Sequence, residues 1–162
     1  MEFIEITEEL YPQIAMIYQQ GIDSGIATFE MTAPDYVDWN QKYLPHSRIA
    51  LINSKIVLGW AALAPVSKRA VYNGVAEVSI YIAKDQRGKG IGKSLFLELI
   101  KSSEAKGIYS LQSSVFPENL ASIKLHKTCG FREIGYKEKI ARREGKWFDN
   151  ILLERRSKVI GI

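Results

Sequence analysis

A glycine-rich segment between a predicted strand and a predicted helix constrains this chain more than any other feature. Residues 86–94 read Gln-Arg-Gly-Lys-Gly-Ile-Gly-Lys-Ser. The hydrophobic pattern predicts a strand over residues 75–82 before this segment and an amphipathic helix after it, through residues 95–100. Glycines let a backbone approach a ligand closely, and a helix N-terminus presents unpaired N–H groups with a partial positive charge. The segment is therefore typical of a phosphate-binding loop, with a loop that is tight for packing alone as the alternative.

The spacing of the glycines excludes two common phosphate-binding motifs. A Walker A motif ends as Gly92-Lys93-Ser94 do, but it requires a glycine where this chain has Arg87. The dinucleotide fingerprint Gly-x-Gly-x-x-Gly fails because Lys93 occupies the place of its third glycine. The spacing that does fit is Arg-x-x-Gly-x-Gly, from Arg87 to Gly92.

The remaining hydrophobic patterns predict one domain over residues 1–162, with elements in the order βααβββαβαββ. A hairpin is predicted over residues 49–63, around Asn53-Ser54-Lys55, and a second one near the C-terminus around Glu144-Gly145. These hairpins argue against an all-parallel, doubly wound sheet. The sequence therefore predicts an α/β chain with a mixed sheet.

Charge is distributed unevenly along the chain. The net charge is +4, but residues 1–47 contain eight acids and one base, whereas residues 48–162 contain 21 bases and ten acids. A basic region of this kind binds nucleic acid, an anionic membrane surface or a small polyanion such as a coenzyme, or is simply a solvated surface. Charge alone leaves these alternatives open.

The sequence predicts a cytoplasmic protein. The first five residues include two glutamates, where a signal peptide needs a basic segment before a long apolar run. No stretch approaches the roughly 18 apolar residues that a membrane span requires. The single cysteine, Cys129, allows neither an intrachain disulfide nor a cysteine-based zinc site.

The segment from Arg87 to Gly92 resembles the pyrophosphate loop of the GNAT superfamily of acetyl-CoA-dependent N-acetyltransferases. Asn119 at a predicted helix start, and Gly130-Phe131 after its end, resemble the second coenzyme segment of that family. The resemblance implies a GNAT-type mixed, mostly antiparallel sheet of about seven strands flanked by about four helices. It implies acetyl-CoA as cosubstrate and no metal. The coenzyme-binding residues it implies are Ile80, Tyr81, Ile82, Arg87, Gly88, Lys89, Gly90, Ile91, Gly92, Lys93 and Asn119.

A narrower resemblance, to phosphinothricin and methionine sulfoximine N-acetyltransferases, rests on residues 27–29, 65–82 and 145–149, together with His126. It implies a small amino-acid-like amine as acceptor and a homodimer. The residues themselves give no reason to expect a nucleic-acid or membrane partner. Arg69 and Tyr72 are then expected to hold the acidic end of the acceptor, since a guanidinium binds a carboxylate or phosphinate bidentately. Phe29 is expected to form an apolar wall. Ordinary loop surface is the alternative for the first two residues.

Glu77 is the candidate general base. A free amine is mostly ammonium at pH 7, so a base must remove a proton before acetyl transfer. Glu77 lies in an otherwise apolar strand, where a buried carboxylate would bind protons more tightly. The period of two also allows Glu77 to face water on a half-exposed strand. The resemblance favours the catalytic interpretation, because the family has a catalytic Glu at this position.

His126 stands where many GNAT enzymes have a tyrosine that protonates the leaving sulfur. It is therefore a candidate proton donor, with a packing or hydrogen-bonding histidine as the alternative. Cys129 lies three residues later, but an isolated cysteine is usually a small core residue, so direct transfer in a ternary complex is expected rather than an acyl-enzyme. The roles of Trp147 and Asp149 are left open.

Three other functions are alternatives to acetyl transfer to a small amine. A protein or peptide N-terminal acetyltransferase would need an open groove and little grip on a carboxylate. A non-catalytic coenzyme-binding regulatory module would have no need for Glu77. A nucleic-acid-binding protein is disfavoured, because the basic residues are not interleaved with aromatic residues that stack on bases.

Overall fold

Seven strands form one sheet with helices packed on both of its faces. The structure is a computed structural model that describes residues 1–162. In chain order the elements are β1 (Glu2–Glu5), α1 (Tyr11–Asp23), α2 (Tyr36–Lys42), β2 (Ile49–Asn53), β3 (Ile56–Pro65), β4 (Val75–Ile82), α3 (Ile91–Ala105), β5 (Ser110–Val115), α4 (Leu120–Thr128), β6 (Arg132–Arg143) and β7 (Lys146–Arg156). The predicted order of strands and helices is confirmed.

The strands lie in the order β1-β2-β3-β4-β5-β7-β6. Every neighbouring pair is antiparallel except β4 and β5, which are parallel. The helix α3 connects these two strands, as a parallel pair requires a long crossover. The mixed, mostly antiparallel sheet that was expected is therefore confirmed.

The parallel strands β4 and β5 pair over only three residues each. The pairs are Val75 with Ser110, Ala76 with Leu111, and Glu77 with Gln112. Strand β4 continues to Ile82 and β5 continues to Val115, but the two strands do not pair with each other over these residues. The centre of the sheet is consequently open beyond Glu77.

Two separate hydrophobic cores cover the two faces of the sheet. One consists mainly of residues from α3 and the inner strands, and the other of residues from α1, α2 and β1–β3. Alternate residues of β4 face different cores: Ala76 and Val78 contact the α3 core, whereas Tyr81 packs against the α1–α2 core. By the period of two, Glu77 and Ser79 share the α1–α2 face with Tyr81.

The helices are short. The longest, α3, has 15 residues, and none is both long and apolar enough to cross a membrane. The chain also contains no group of three or more His, Cys, Asp or Glu side chains placed to hold a metal ion.

Candidate active site

A cleft of about 370 Å³ opens where β4 and β5 separate. Its walls come from both faces of the sheet: Tyr18, Phe29 and Lys42 belong to the α1–α2 side, and Asn119 and His126 to the side of α4. The cleft therefore connects the two sides of the sheet. The full set of lining residues is Tyr18, Ala27, Thr28, Phe29, Glu30, Lys42, Glu77, Val78, Ser79, Ile80, Tyr81, Ser113, Ser114, Val115, Phe116, Asn119, Ser122, His126 and Asn150.

Glu77 lies at the edge of this cleft, at the last paired position of β4 and β5. Its side chain is exposed, so of the two alternatives for this position the buried carboxylate is wrong. The reason is that the core on this face of the sheet contains no residue of β5, β6 or β7, so no packed helix covers the sheet next to Glu77. The alternative of a half-exposed strand describes its surroundings, and the side chain is accessible to a ligand in the cleft.

The glycine loop has the geometry of an anion-binding site. Gly88 and Gly90 have φ angles of +75° and +81°, which L side chains rarely adopt. A Cβ atom at either position would meet no atom within 4 Å, so the space above the loop is open. The helix α3 begins directly afterwards at Ile91, and no side chain caps its N-terminal N–H groups. These free N–H groups and the exposed side chains of Arg87, Lys89 and Lys93 fit a diphosphate.

Gly92 has a different role from the two glycines before it. A Cβ atom there would lie 3.1 Å from Cδ2 of Leu125, which is tighter than an ordinary contact. Because Leu125 belongs to α4, Gly92 lets α3 and α4 approach each other closely. The three glycines therefore serve two purposes: backbone conformation at the first two and helix packing at the third.

The backbone of Ile80, Tyr81 and Ile82 is paired on one side only. These residues pair with β3, at Ala61, Trp60 and Gly59 respectively. On the other side, β4 has no strand partner beyond Glu77. The free edge can hydrogen-bond to an extended polar ligand, as a missing strand would.

Asn119 joins α4 to the loop that follows α1. Its Oδ1 accepts a hydrogen bond from the N–H of Ser122 at 3.2 Å, which caps α4. Its Nδ2 donates to the carbonyl oxygen of Ile26 at 3.2 Å. The residue lines the cleft, and it fixes one wall of the cleft to the other.

His126 is only 2% exposed, and its ring packs edge-on against Phe96 and Phe131. Its Nδ1 lies 2.7 Å from the carbonyl oxygen of Ser122, so the proton of a neutral ring is on Nδ1. Burial lowers the pKa of His126, while the bond to Ser122 opposes this change. Its Nε2 has no partner and presents a lone pair, which accepts rather than donates a hydrogen bond.

Arg69 and Tyr72 do not line the cleft that contains Glu77. The guanidinium of Arg69 lies 5.7 Å from the ring centre of Tyr72, and both side chains are exposed. Tyr72 instead borders a second cleft, which also contains Val75 and Gln112. Because Gln112 pairs with Glu77, the two clefts lie on opposite sides of that pair along the strands.

Phe29 lines the cleft as part of a cluster of three phenylalanine rings. Its ring centre lies 4.7 Å from that of Phe116 and 5.8 Å from that of Phe148, both edge-to-face. Arg143 covers this cluster, with its guanidinium 4.8 Å from the ring centre of Phe148. It also donates to the carbonyl oxygens of Thr28 at 2.8 Å and Gly25 at 2.9 Å. Arg143 therefore holds the loop that carries Phe29 against the β6–β7 hairpin.

Tyr18 and Tyr81 line the cleft on the α1–α2 side, and Tyr43 belongs to the same core. The hydroxyl of Tyr43 donates to Oγ of Ser79 at 3.0 Å, and Nζ of Lys42 donates to the hydroxyl oxygen of Tyr18 at 3.3 Å. Burial raises the pKa of Tyr18 to about 12 and raises the pKa values of Tyr43 and Tyr81 above their usual range. These hydroxyls therefore keep their protons at neutral pH.

Cys129 belongs to the α3 core, and burial raises the pKa of its thiol. Trp147 and Asp149 lie on β7, contact residues of the β6–β7 hairpin and do not line the cleft. Asp149 accepts hydrogen bonds from the hydroxyl of Tyr136 and from the N–H of Lys139 at 2.7 Å, where β6 has a bulge. Trp147 stacks with Arg142.

The chain is similar to known proteins in both sequence and fold. The sequence model of the acetyltransferase (GNAT) family matches residues 9–131. The chain is 31% identical over 158 residues to the phosphinothricin N-acetyltransferase of Alcaligenes faecalis, covering 93% of this chain and 79% of that protein. It is 28% identical over 144 residues to an L-methionine sulfoximine/L-methionine sulfone acetyltransferase of Pseudomonas paraeruginosa, covering 85% of this chain and 84% of that protein.

A solved structure shares the architecture. It is a GNAT superfamily phosphinothricin acetyltransferase from Sinorhizobium meliloti in complex with acetyl-CoA. The TM-score is 0.85 at 26% sequence identity, and the match covers 96% of this chain and 87% of that one. Acetyl-CoA is therefore bound in a solved structure of the same architecture.

Proposed function

The chain belongs to the acetyltransferase (GNAT) family and is an N-acetyltransferase; on this premise we propose that its acceptor is the α-amine of a small amino acid of phosphinothricin or methionine sulfoximine type. The observation that carries the proposal is the cleft that runs through the sheet, with Glu77 at its edge. Such a cleft lets acetyl-CoA and an amine reach one point from opposite faces.

The residues present fit acetyl-CoA. The loop from Gly88 to Lys93 and the uncapped start of α3 would hold its diphosphate, and the free edge of β4 at Ile80–Ile82 would bind its pantetheine arm. When bound, acetyl-CoA supplies a thioester whose carbonyl carbon is attacked by the amine and whose thiol leaves. Backbone N–H groups at the free edge would stabilise negative charge on the carbonyl oxygen.

Glu77 acts as the general base in this proposal. Its carboxylate takes a proton from the acceptor ammonium, directly or through a water molecule, and so supplies the neutral amine. Its exposure leaves it open to the acceptor, and its position at the last pair of β4 and β5 places it where the cleft begins.

The role of His126 as proton donor to the leaving sulfur stays a prediction. Its lowered pKa and its Nδ1–H bond to Ser122 support the packing alternative, since Nε2 of the neutral ring carries no proton. A thiol of pKa near 8.5 leaves as thiolate without much assistance, so the reaction does not depend on a separate acid.

We propose that the acetyl group passes directly from the coenzyme to the amine. The single cysteine is buried in the α3 core with a raised pKa, which argues against a covalent acetyl-enzyme. Mass spectrometry after incubation with acetyl-CoA, without any amine, tests this step. Unmodified protein is expected, and a protein heavier by one acetyl group would contradict direct transfer.

Arg69 and Tyr72 are proposed to bind the acceptor's α-carboxylate, from the side of Glu77 that faces the second cleft. Arg69→Lys keeps the charge but loses the planar, bidentate guanidinium. The variant is expected to raise the acceptor KM for α-amino acids by about tenfold, while the corresponding amines without a carboxylate are used equally by both forms. If KM changes equally for acceptors with and without a carboxylate, Arg69 does not bind the carboxylate and is an ordinary residue of the loop surface.

A thiol-release assay over a panel of amines, with acetyl-CoA as donor, tests the proposed function. Phosphinothricin and methionine sulfone are expected to be good acceptors, whereas simple alkylamines and long peptides are expected to be poor. Efficient use of peptides alone would instead identify a peptide acetyltransferase. No thiol release with any amine, in a protein that binds acetyl-CoA, would identify a coenzyme-binding module.

We also propose a cytoplasmic homodimer. Strand β6 is an edge of the sheet with exposed Ile134, Tyr136 and Ile140, and an unpaired apolar edge is suited to pairing with a second copy of the chain. Sedimentation equilibrium tests the dimer: the mass of two chains is expected, and a single-chain mass at micromolar concentration would contradict it.

A further inference from the structure

Lys42 is the only lysine or arginine among the residues that line the cleft. Its Nζ lies 3.3 Å from the hydroxyl oxygen of Tyr18 and 3.5 Å from Oε1 of Glu30. The side chains of Lys42 and Glu30 are 40% and 49% exposed. Ion pairs with this exposure are weak, so an incoming anion can compete with Glu30 for Lys42.

The hydroxyls of Tyr18 and Ser79 line the same cleft as Lys42. The oxygen of Tyr18 accepts a hydrogen bond from Lys42, and its own proton is retained because burial raises the pKa of Tyr18 to about 12. The oxygen of Ser79 accepts from Tyr43, which leaves the hydrogen of Ser79 free. An ammonium and two hydroxyls in one wall of the cleft make a site for strong hydrogen-bond acceptors.

The spacing of Glu77 and Ser79 along β4 suits one part of the proposed acceptor. Ser79 follows Glu77 by two residues on the same face of β4, which corresponds to about 6.6 Å along the strand. In an amino acid with a phosphinate or sulfone at the end of its side chain, the α-amine and the distal oxygens are a few covalent bonds apart. An amine at Glu77 would place those oxygens beside Ser79, in the cleft that Lys42 also lines, and the α-carboxylate on the side of Arg69.

We propose that Lys42 and Tyr18 form a second anchoring site, which binds the oxygen atoms at the end of the acceptor side chain. The inference rests on the proposed function and specifies its acceptor: an α-amino acid with a phosphinate, sulfone or sulfoximine group. Lys42 selects for these oxygens, and Glu30 holds Lys42 while the site is empty.

The two charged residues are therefore expected to have opposite effects. Lys42→Met removes the ammonium but keeps an unbranched apolar stem over the rings of Tyr18 and Tyr43. Glu30→Gln removes the carboxylate that competes with the acceptor for Lys42. If Lys42 only ordered the loop through Glu30, the two substitutions would act in the same direction.

The test uses three acceptors of similar length: phosphinothricin, methionine sulfone and norleucine, which has no distal oxygen. Lys42→Met is expected to lower kcat/KM for the first two by at least about tenfold relative to norleucine, and Lys42→Arg to retain most of the selectivity. Glu30→Gln is expected to raise kcat/KM for anionic phosphinothricin. Lys101→Met, at an exposed position of α3, is the matched control and is expected to change nothing.

Equal losses for norleucine and for the oxygen-bearing acceptors would overturn the anchoring site while leaving the proposed acetyl transfer intact. A loss of phosphinothricin turnover in Glu30→Gln would likewise overturn it. If the wild-type protein acetylates none of the three acceptors, the proposed function fails, and the inference fails with it.

Discussion

Glu77 and Gln112 are the last residues paired between the parallel strands β4 and β5. One cleft lies beyond this pair and passes through the sheet, and the other lies before it, beside Tyr72. A parallel strand pair that opens in this way leaves backbone N–H and C=O groups without strand partners. The open stretch is thus a functional feature, because the groups it frees are those that a ligand in the cleft can use.

Gly90→Val is expected to weaken acetyl-CoA binding by at least about tenfold, because a branched side chain would fill the open space above the loop. The side chain is also expected to lower the stability of the protein, since a residue other than glycine at a φ of +81° costs roughly 1–2 kcal/mol. Titration calorimetry with acetyl-CoA measures the affinity, and circular dichroism checks that the variant is folded.

Gly107→Val is the matched control. Gly107 has nearly the same φ angle, +80°, and equally open surroundings, but lies after the C-terminal end of α3. It is expected to lose similar stability and to keep its coenzyme affinity. If the two variants bind acetyl-CoA with equal affinity, the loop from Gly88 to Lys93 is not part of the coenzyme site.

Much of the fold was predictable because its signals are local. Periodic hydrophobic residues marked the strands and helices, and the turn at Glu144-Gly145 marked the last hairpin. The glycine loop was predictable for the same reason: positive φ angles at Gly88 and Gly90 require glycine itself. These features need no knowledge of distant contacts.

The parts of the site that depend on distant contacts were not predictable. Arg143 binds Thr28 across 115 positions of sequence, and nothing in its own segment marks it. Glu77 is exposed because α1 and α2 do not cover the neighbouring strands. The apolar pattern of β4 gives no information about which strands those helices cover. The charged pair of Lys42 and Glu30 lies in a wall assembled from two separate segments.

Arg143→Ala is expected to raise the acceptor KM by about tenfold, because the loop of Gly25 to Phe29 loses two charge-assisted hydrogen bonds and its packing on the hairpin. The acetyl-CoA affinity is expected to change little, since Arg143 does not contact the glycine loop. Arg143→Lys restores one donor and is expected to be intermediate.

Arg142→Ala is the control for this prediction, because Arg142 is exposed and stacks only on Trp147. Initial-rate measurements with each substrate varied in turn separate the two KM values. A parallel rise in both KM values for Arg143→Ala would indicate general unfolding rather than positioning of Phe29.

His126 makes the stability of the protein depend on pH. Burial lowers the pKa of His126 in the folded state. Below about pH 6.5 the unfolded chain therefore binds a proton at this histidine more readily than the folded chain does. The free energy of unfolding is therefore expected to decrease as the pH falls from about 6.5, by up to about 1.36 kcal/mol per pH unit. Urea unfolding between about pH 5 and 7 measures this slope.

The contribution of His126 is measured in a His46→Gln background. Burial also lowers the pKa of His46, and these two are the only histidines of the chain, so the background removes the second contribution. Adding His126→Gln to that background is expected to abolish most of the slope. Identical slopes with and without His126, or stability that rises toward pH 5, would contradict a buried neutral ring.

The most direct test of Glu77 as the base is the rate of thiol release by Glu77→Gln, with phosphinothricin and acetyl-CoA, as a function of pH. The amide keeps the size of the side chain but cannot accept the proton, so turnover at pH 7 is expected to fall by about 10²–10⁴-fold while acetyl-CoA affinity is unchanged. Raising the pH is expected to restore part of the rate by supplying neutral amine. Wild-type turnover at pH 7 in the folded Glu77→Gln variant would contradict the account.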